Sequence, residues 1–372
     1  MSGPLSRRPE RGIVRSSKAS AAAFALTAGI GVAAVPAQAA ADGPVTVTAS
    51  GYHNGPVRID VTESGDNYIL NDLTRPGTRC GAADGRPLSV PKDSLPGPVN
   101  ETFAACVDIM YGAQRQWDML RDWLGRNGPQ GNGRNAPAVY DPSGRGPIWG
   151  GYVVFTTMPT GGRAPATTLD LVGHQFGHVI YQSTPGGTGS GNESGGLFEG
   201  AADIFGVLTD HYADHPRNRP NYLIGDSPSL MGDRPLRNMY NPSLLGDPNC
   251  YSTAIPSTEV HAAAGPLNHW FYLLAEGANP GGGKPSSPVC AGEPTAVTGI
   301  GIRQAGRIVM NALLRKTSQW NYAKMRVASV SAAIDLFGPG SPECPATKAA
   351  WRAVNVHPQP GEPSCADPSP AP

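Results

Sequence analysis

Two histidines one helical turn apart are the first residues in this sequence that could do chemistry. They are His174 and His178, in the stretch DLVGHQFGHVI at residues 170–180. If that stretch is helical, side chains four residues apart share one face, so both imidazoles can reach a single metal ion. The pair alone is a weak signal, because H-x-x-x-H often arises by chance. Gln175 lies between them, and its amide cannot accept a proton near neutral pH.

A second segment, NESGGLFEGAADIFG at residues 192–206, supplies carboxylates. Its apolar side chains predict the buried face of a helix, with Glu199 and Asp203 one turn apart beside that face. A carboxylate in such a place is costly unless it is paired or binds a metal. Glu199 as a third metal ligand, with Asp203 accepting a hydrogen bond from a ligating imidazole, would answer that cost. The alternative is that both are ordinary exposed acids.

The elements that must position these residues predict an α+β protein, with a β-rich N-terminal half and an α-helical C-terminal half. β-branched runs broken by Asn-Gly and Ser-Gly-Asp indicate strands from residue 44 to about residue 95, and residues 146–158 have strand character again. Helical periodicity begins after Asn100, the expected N-cap. Further helices are predicted at residues 167–183, 195–214, 257–277, 300–317, 321–337 and 345–354. We expect the metal site in the cleft between the two halves.

Residues 1–39 are predicted to be a secretory signal peptide. They contain five basic residues, then an apolar run rich in alanine, then the A-x-A cleavage pattern Ala37-Gln38-Ala39. A membrane anchor is the alternative, but the run is short for a span and rich in Ala and Gly. We therefore expect a secreted protein with a β-rich lobe over 40–183, a helical lobe over 184–357 and a Pro-rich tail over 358–372.

Charge and cysteine content narrow the class of protein further. Without the signal peptide the chain has 24 basic and 28 acidic residues, and no basic stripe that would suit nucleic acid or an anionic membrane. Six cysteines in an exported chain indicate disulfides, and no C-x-x-C spacing suggests a thiolate metal site. Several pairings are possible. Proximity around Gly/Pro-rich loops favours 80–106, 250–290 and 344–365.

Together the two motifs resemble the paired signatures of the thermolysin family of secreted neutral zinc metallopeptidases. That family carries H-E-x-x-H followed by N-E-S-G-x-x-x-E-x-x-x-D-I-F-G. The stretches NYILNDLTR, LRNMYNP and VHAAAGPLNHWFYLL resemble further blocks of the family in the same order. The resemblance covers roughly residues 45–355. It implies a thermolysin-like fold, zinc as cofactor, and hydrolysis of internal peptide bonds.

Matched position by position, the resemblance implies roles for single residues around the metal. The zinc ligands would be His174, His178 and Glu199, with the fourth position left to water. Asp203 would orient one of the two imidazoles. The resemblance further implies two groups that contact substrate, namely an oxyanion donor at His261 and a carbonyl-binding guanidinium at Arg237.

The resemblance also implies an apolar specificity pocket and a calcium site. A preference for a bulky apolar residue just after the scissile bond would follow from a pocket lined by Leu171, Ile224 and Leu236. Plain core packing is the alternative for these side chains. The carboxylates that would bind calcium are Asp170, Asp210 and Asp226, with Asn221 as a further ligand. This set has fewer ligands than is usual in the family, and its acidic side chains are shorter.

The departures from the family pattern cluster on the catalytic side of the site. Gln175 stands where the family has the glutamate that activates water, which is help worth about 10²–10⁴ in rate. Ser190 aligns with a tyrosine that stabilises the oxyanion, a loss of about 10²–10³. Pro256 stands where an aspartate partner of the oxyanion histidine is expected. Gly146-Pro147 replaces the Asn-Ala that holds substrate, and the proline removes a backbone donor.

Two main readings follow. In the first, the protein is a zinc endopeptidase of reduced activity, with another carboxylate such as Glu193 or Glu259 serving as base. In the second, it is a non-catalytic, zinc-stabilised pseudopeptidase that binds peptides or has a structural role. A third reading, a secreted helical scaffold without metal, requires the three ligands to converge by accident. We expect weak or absent hydrolysis, a monomer, a peptide or protein partner, no nucleic acid, and no membrane after signal cleavage.

Overall fold

The computed structural model describes residues 42–97, 99–144, 151–158, 163–232, 234–293 and 296–366. Its first five strands are β1 (Gly43–Gly51), β2 (Gly55–Ser64), β3 (Asn67–Ile69), β4 (Cys80–Gly81) and β5 (Ser89–Pro91). An antiparallel sheet has the order β1-β2-β3-β5. After the long helix α1 (Glu101–Asp122) come β6 (Ala138–Tyr140) and β7 (Val153–Phe155). These two strands join β4 in a three-stranded parallel sheet, in the order β4-β6-β7.

The rest of the described chain is mainly helical. Its first two helices are α2 (Leu169–Gln182) and α3 (Asn192–Ala213). They are followed by β8 (Leu223–Ile224), α4 (Pro228–Met231), β9 (Arg237–Asn238), α5 (Val260–Ala263), α6 (Gly265–Glu276), α7 (Ile302–Leu313), α8 (Tyr322–Phe337) and α9 (Glu343–Ala353). Short 3-10 helices cover Lys92–Ser94, Pro242–Leu245 and Ile255–Ser257. No helix of the described residues is long and apolar enough to cross a membrane.

The N-terminal sheet packs on α1 through alternating side chains. Val57, Ile59 and Val61 of β2 are buried, as period-two strand geometry requires for a sheet with one covered face. The turn between β1 and β2 is fixed by Asp108 of α1, whose carboxylate accepts hydrogen bonds from the backbone of His53 at 2.8 Å and from the Asn54 amide at 2.8 Å. Burial raises the pKa of Asp108 despite these donors.

Most of the fold follows the prediction. The β-rich N-terminal part, the helical C-terminal half and all three disulfides, at 80–106, 250–290 and 344–365, are confirmed. Asn100 is the N-cap of α1, because its side chain accepts a hydrogen bond from the backbone of Phe103 at 2.8 Å.

The helices of the structure differ from the predicted helices at two places. The single helix expected over 257–277 is divided into α5 and α6. Pro266 lies in the first turn of α6, where its missing N–H costs nothing, and this favours a new helix start. The short helix α4 was missed, since one turn of chain has too few residues to show periodicity. Of the strand expected over 146–158, residues 151–158 are described, and β7 (Val153–Phe155) is the strand among them.

Two hydrophobic cores lie on either side of α2. One combines the N-terminal sheet with α1, and Val172 and Phe176 of α2 belong to it. The other is the larger helical core, to which Leu171, Ile180 and Tyr181 of α2 contribute. Helix α2 is therefore apolar on two faces and is held by both cores, which fixes its orientation before any ligand is considered.

Small residues let α2 and α3 approach unusually closely. A Cβ added to Gly173 would lie 2.9 Å from the Cα of Gly206, and one added to Gly177 would lie 2.9 Å from the Cα of Ala202. Real Cβ atoms do not approach backbone this closely, so glycine is required at both positions of α2. His174 lies between these glycines and therefore faces α3 at short range.

Replacing Gly177 by valine should force the two helices apart. We expect a loss of about 1–3 kcal/mol in the free energy of unfolding, because the added side chain overpacks against the backbone of α3. The measurement is chemical denaturation of the metal-free protein. Gln182→Val introduces the same side chain at the exposed end of α2 and should change stability by no more than about 0.5 kcal/mol. Equal losses in the two variants would show that the close approach is not needed.

Candidate metal centre

Side chains from α2 and α3 meet at one point. Among the described residues, His174, His178 and Glu199 are the group of potential metal ligands whose donor atoms all lie within 4.8 Å of one another. The Nε2 atoms of the two histidines lie 3.6 Å and 3.7 Å from Oε2 of Glu199. Both imidazoles therefore present the same ring nitrogen to the same carboxylate oxygen.

The donor set suits zinc. A tetrahedral ion with bonds of about 2.0–2.2 Å separates its donor atoms by roughly 3.3–3.5 Å, close to the spacing between Glu199 and the two histidines. Oε2 of Glu199 is buried and has no hydrogen-bond donor within the described part of the chain. A buried carboxylate oxygen without a donor is costly unless a cation faces it. Two imidazoles and one carboxylate also match the ligands that zinc prefers in proteins.

A buried chain of hydrogen bonds orients His174. Its Nδ1 donates to Oδ1 of Asp203 at 2.8 Å, which leaves Nε2 free to face Glu199. Asp203 also accepts from Nε and Nη2 of Arg237, each at 2.6 Å, and from the amide of Asn268 at 2.8 Å. These contacts join α2, α3, β9 and α6 at one fully buried carboxylate.

The charge of Asp203 is maintained by these donors. Burial by itself opposes ionisation, but the Arg237 guanidinium and the His174 ring outweigh it and lower the pKa of the Asp203 carboxyl well below its ordinary value. The carboxylate therefore stays ionised at neutral pH. One edge of the Arg237 guanidinium is paired with the Asp203 carboxylate, and this ion pair fixes the orientation of the guanidinium.

His178 has a different environment. Its ring stacks on Phe198, with centroids 4.1 Å apart, and its Nδ1 is buried with no partner among the described residues. Burial, with a smaller contribution from His174, lowers the pKa of His178 to about 3. The ring is therefore neutral at physiological pH, which is the form that binds a metal.

His261 also lies near the carboxylate of Glu199. Its Nε2 lies 3.6 Å from Oε2 of Glu199, and its Nδ1 lies 2.7 Å from Oε1 of Glu259. The partner of His261 is therefore Glu259, two residues before it in sequence, and not a residue at the position of Pro256. Glu259 is also the N-cap of α5, since it accepts from the backbone of His261 and Ala262.

The other residues expected on the catalytic side of the site make fewer contacts with the metal-ligand group. Gln175 is half-buried, and no hydrogen bond to its side chain occurs among the described residues. Ser190 is exposed in the loop before α3. Gly146-Pro147 lies outside the described residues. The structure thus places His261 near Glu199 of the metal-ligand group, whereas the Gln175 amide has no hydrogen-bond partner among the described residues.

The three residues expected to line the specificity pocket all belong to, or pack against, the larger helical core. Ile224 is fully buried and Leu171 is buried in that core, and Leu236 is partly buried against it. The pairing of β8 with β9 places Ile224 next to Leu236, whose backbone N–H donates to its carbonyl at 2.7 Å. Because β9 begins at Arg237, this apolar cluster adjoins the guanidinium beside the metal-ligand group.

Of the three aspartates expected at calcium, Asp170 is in the first turn of α2, Asp210 is in the last turn of α3, and Asp226 follows β8. Burial raises the pKa of Asp170 and, to a larger extent, that of Asp210, which is raised further by Asp170 and Asp226. Asp210 accepts from Asn218 at 2.9 Å and Asp226 accepts from Asn221 at 2.7 Å. They do not form a group with all donor atoms within 4.8 Å of one another.

Three residues of the site were not found from the sequence. Asn268 sits at a buried position of an apolar helix, and a polar residue in that setting was a usable signal. Phe198, which stacks on His178, looks like any core aromatic in sequence. Asp247 is half-buried, and burial, with Asp203 and Glu259, raises its pKa against the opposing influence of Arg237 and His261.

Comparison with known proteins agrees with this architecture. Residues 46–182 match the family model described as thermolysin metallopeptidase, catalytic domain. Residues 190–356 match the model described as thermolysin metallopeptidase, alpha-helical domain. The chain belongs to the thermolysin family. Membership implies zinc, and the group of two histidines and a glutamate is present to hold it.

Individual relatives give the extent of the likeness. A transglutaminase-activating metalloprotease of Streptomyces mobaraensis is 35% identical over 84% of this chain and 43% of its own length. A bacillolysin of Brevibacillus brevis is 31% identical over 84% and 58%, and a thermolysin of Bacillus sp. (strain EA1) is 33% identical over 78% and 53%. The chain thus spans about half the length of these relatives. A solved precursor of protealysin, a metalloproteinase from Serratia proteamaculans, shares the fold, with a TM-score of 0.53, 20% identity and coverage of 76% of this chain and 86% of that one.

Removing the charge of Asp203 should destabilise the centre strongly. In Asp203→Asn the Arg237 guanidinium stays buried without its counter-ion, and we expect a loss of about 3–5 kcal/mol in the free energy of unfolding at pH 7. Because the folded pKa is lowered, the stabilisation by Asp203 is present above its unfolded pKa and is lost as pH falls through the folded value. Denaturation of the metal-free protein as a function of pH measures both.

The double variant Asp203→Asn with Arg237→Met is the matched control. It removes both charges, so it should recover most of the stability lost in the single variant. If the double variant is no more stable than Asp203→Asn, the ion pair is not the origin of the loss.

Proposed function

We propose that the chain is a secreted, zinc-binding member of the thermolysin family whose hydrolysis of internal peptide bonds before bulky apolar residues is weak or lost. The observation that carries the proposal is the contrast within one turn of α2. His174 and His178 meet Glu199, whereas the group beside them is the amide of Gln175. We also propose that residues 1–39 are a signal peptide removed on export.

The amide at Gln175 limits the chemistry. Zinc bound at this centre would supply Lewis acidity to a water and to a substrate carbonyl. The Gln175 amide can hydrogen-bond that water but cannot take its proton or pass one to the leaving amine. Arg237, already paired with Asp203, would hold a carbonyl near the cluster of Leu171, Ile224 and Leu236.

The two acids considered from the sequence as substitute bases, Glu193 and Glu259, already accept hydrogen bonds from other groups. Oε1 of Glu193 accepts from the backbone of Tyr322 at 3.0 Å, which ties it to the start of α8. Glu259 is held by His261 and by the first turn of α5. Among the described acids, Asp247 also interacts electrostatically with the site, and its raised pKa suits proton transfer better than that of an ordinary aspartate. Residual activity would depend on it.

The second candidate is a pseudopeptidase that binds zinc and does not hydrolyse peptides. Two observations support it: the three potential ligands converge and the His174 ring is oriented by Asp203, while the residue next to His174 is a glutamine and not an acid. Such a protein would bind a peptide with an apolar side chain at Leu171, Ile224 and Leu236, or would use zinc only for stability.

Calcium is a further part of the proposal. Asp170 and Asp226 each repel the charge of Asp210, and Oδ1 of Asp170 is buried with no donor among the described residues. A divalent cation would relieve that repulsion, and carboxylate and amide oxygens are the ligands that calcium prefers. We therefore propose a calcium ion bound by these aspartates, with Asn221 as a nearby ligand.

The proposal on catalysis is tested by restoring a carboxylate at Gln175. Gln175→Glu should hydrolyse a peptide with leucine or phenylalanine after the scissile bond at least about a hundredfold faster than the parent chain, because the acid can accept and return the proton. The matched control is Gln182→Glu, which adds the same charge at the exposed end of α2 and should leave the rate unchanged.

The alternative outcomes separate the two readings. No gain with Gln175→Glu would mean that other features of the site block turnover, which favours the pseudopeptidase. Equal and substantial hydrolysis by the parent and Gln175→Glu would refute the proposal that hydrolysis is weak or lost.

The calcium proposal is tested by the charge of Asp210. Its raised folded pKa means that its contribution to stability is present below the unfolded pKa and is lost as pH rises through the folded pKa. In chelator at pH 7, Asp210→Asn should therefore be more stable than the parent. Calcium at about a hundred times its Kd should stabilise the parent by about 2.7 kcal/mol and should have little effect on the variant. Thermal unfolding measures both, with the exposed Asp84→Asn as control.

A further inference from the structure

The two histidines of α2 are held in place by different interactions. The His174 ring donates a hydrogen bond from Nδ1 to Asp203, whereas Nδ1 of His178 is buried and has no partner among the described residues. The His178 ring instead stacks on Phe198, with the ring centroids 4.1 Å apart and the ring planes inclined by 29°. We propose that Phe198 is a positioning residue of the metal centre, which holds His178 by stacking where His174 is held by a hydrogen bond. This inference rests on the proposed zinc binding and deepens it, since it names a residue outside the ligand group on which the zinc affinity depends.

The place of Phe198 in α3 suits this role. Phe198 directly precedes Glu199, so two consecutive side chains of one helix approach the His178 ring. Phe198 lies against the face of the ring, and Oε2 of Glu199 lies 3.7 Å from its Nε2. The plane of the imidazole and the carboxylate that it faces are therefore both set by α3.

A second aromatic ring of α2 holds Phe198 in turn. Tyr181 lies three residues after His178 and so shares its side of the helix. The fully buried Tyr181 ring meets Phe198 edge to face, with centroids 5.2 Å apart and planes inclined by 72°. Nζ of Lys316 lies 4.1 Å from the centroid of the Tyr181 ring, which adds a cation–π contact. Movement of Phe198 away from the His178 ring would therefore also disturb its contact with Tyr181.

Stacking restrains an imidazole differently from a hydrogen bond. The hydrogen bond at Nδ1 of His174 fixes both the plane of that ring and the nitrogen that carries the proton. Stacking fixes the plane alone, because a half-turn of the ring about its Cβ–Cγ bond leaves the plane unchanged. A ligating imidazole whose other N–H has no acceptor is also less basic than one that donates to a carboxylate. His178 is therefore the less strongly supported of the two histidines, and its orientation depends on Phe198.

An apolar contact thus contributes to metal affinity at this centre. Without the Phe198 ring, the His178 side chain would gain rotational freedom in the metal-free chain, and binding would have to remove that freedom again. Loss of a contact that orients a ligating side chain costs about 10–100-fold in metal affinity. Because stacking on Phe198 involves no charged partner, we expect its loss to fall at the lower end of that range.

The first test removes the ring and keeps an apolar side chain. In the full chain, Phe198→Leu should bind zinc about tenfold more weakly than the parent, measured by competition with a chelator. Phe198→Tyr retains a ring and should restore the affinity to within about threefold of the parent. The matched control is Phe337→Leu, since Phe337 is also partly buried but lies at the end of α8. Its zinc affinity should equal that of the parent, and thermal unfolding of the metal-free forms checks that every variant folds.

A spectroscopic measurement separates positioning of the ring from general stability. The metal-free chain is prepared with isotope-labelled histidine, and His178→Gln identifies the signals of His178. The ring current of Phe198 should shift the ring protons of His178 upfield in the proton NMR spectrum. This shift should disappear in Phe198→Leu, and it should persist in Phe198→Tyr and in Phe337→Leu.

The outcomes distinguish this inference from the proposed zinc binding. Zinc affinity that is unchanged in Phe198→Leu, or lowered equally in Phe198→Leu and Phe337→Leu, would overturn the inference and leave the proposed zinc binding intact. A loss that Phe198→Tyr does not restore would also overturn it, because the ring would then not be the property that matters. A parent chain that binds no zinc would overturn both.

Discussion

The close contact between α2 and α3 is the constraint on which the site depends. Gly173 and Gly177 remove the side chains that would hold the helices apart, and the small residues opposite them, Ala202 and Gly206, complete the approach. Metal coordination tolerates errors of only a few tenths of an ångström. The spacing of His174 from Glu199 is therefore decided by helix packing, and helix packing is decided by residues that never touch the ion.

The second determinant is electrostatic. A fully buried carboxylate such as Asp203 is tolerated only where donors surround it, and its donors come from α2, β9 and α6. Each of them is thereby fixed relative to the others. The hydrogen bonds that stabilise the buried charge of Asp203 also orient the His174 ring and the Arg237 side chain. Stability and site geometry are, in this region, consequences of one set of hydrogen bonds.

Much of this could be predicted from the sequence, because the informative patterns were local. The spacing of His174 and His178, the cap at Asn100 and the long periodic helices depend on residues within a few turns of one another. What sequence could not show depends on tertiary contact. The donor at Asn268 and the electrostatic setting of Asp247 arise from elements that meet only in the folded chain. A polar residue in an apolar helix, as at Asn268, indicates that a partner is needed, but it does not identify the partner.

Metal binding and proton transfer are physically separable at this centre. The ligands hold their places through backbone approach and through Asp203, and Gln175 contributes to neither among the described residues. Glutamine and glutamate have nearly the same shape, so an amide at this position changes proton affinity without disturbing the helix. Among the described residues the metal ligands and Gln175 therefore depend on different contacts, so the residue type at position 175 can change while the geometry of the ligand group is kept.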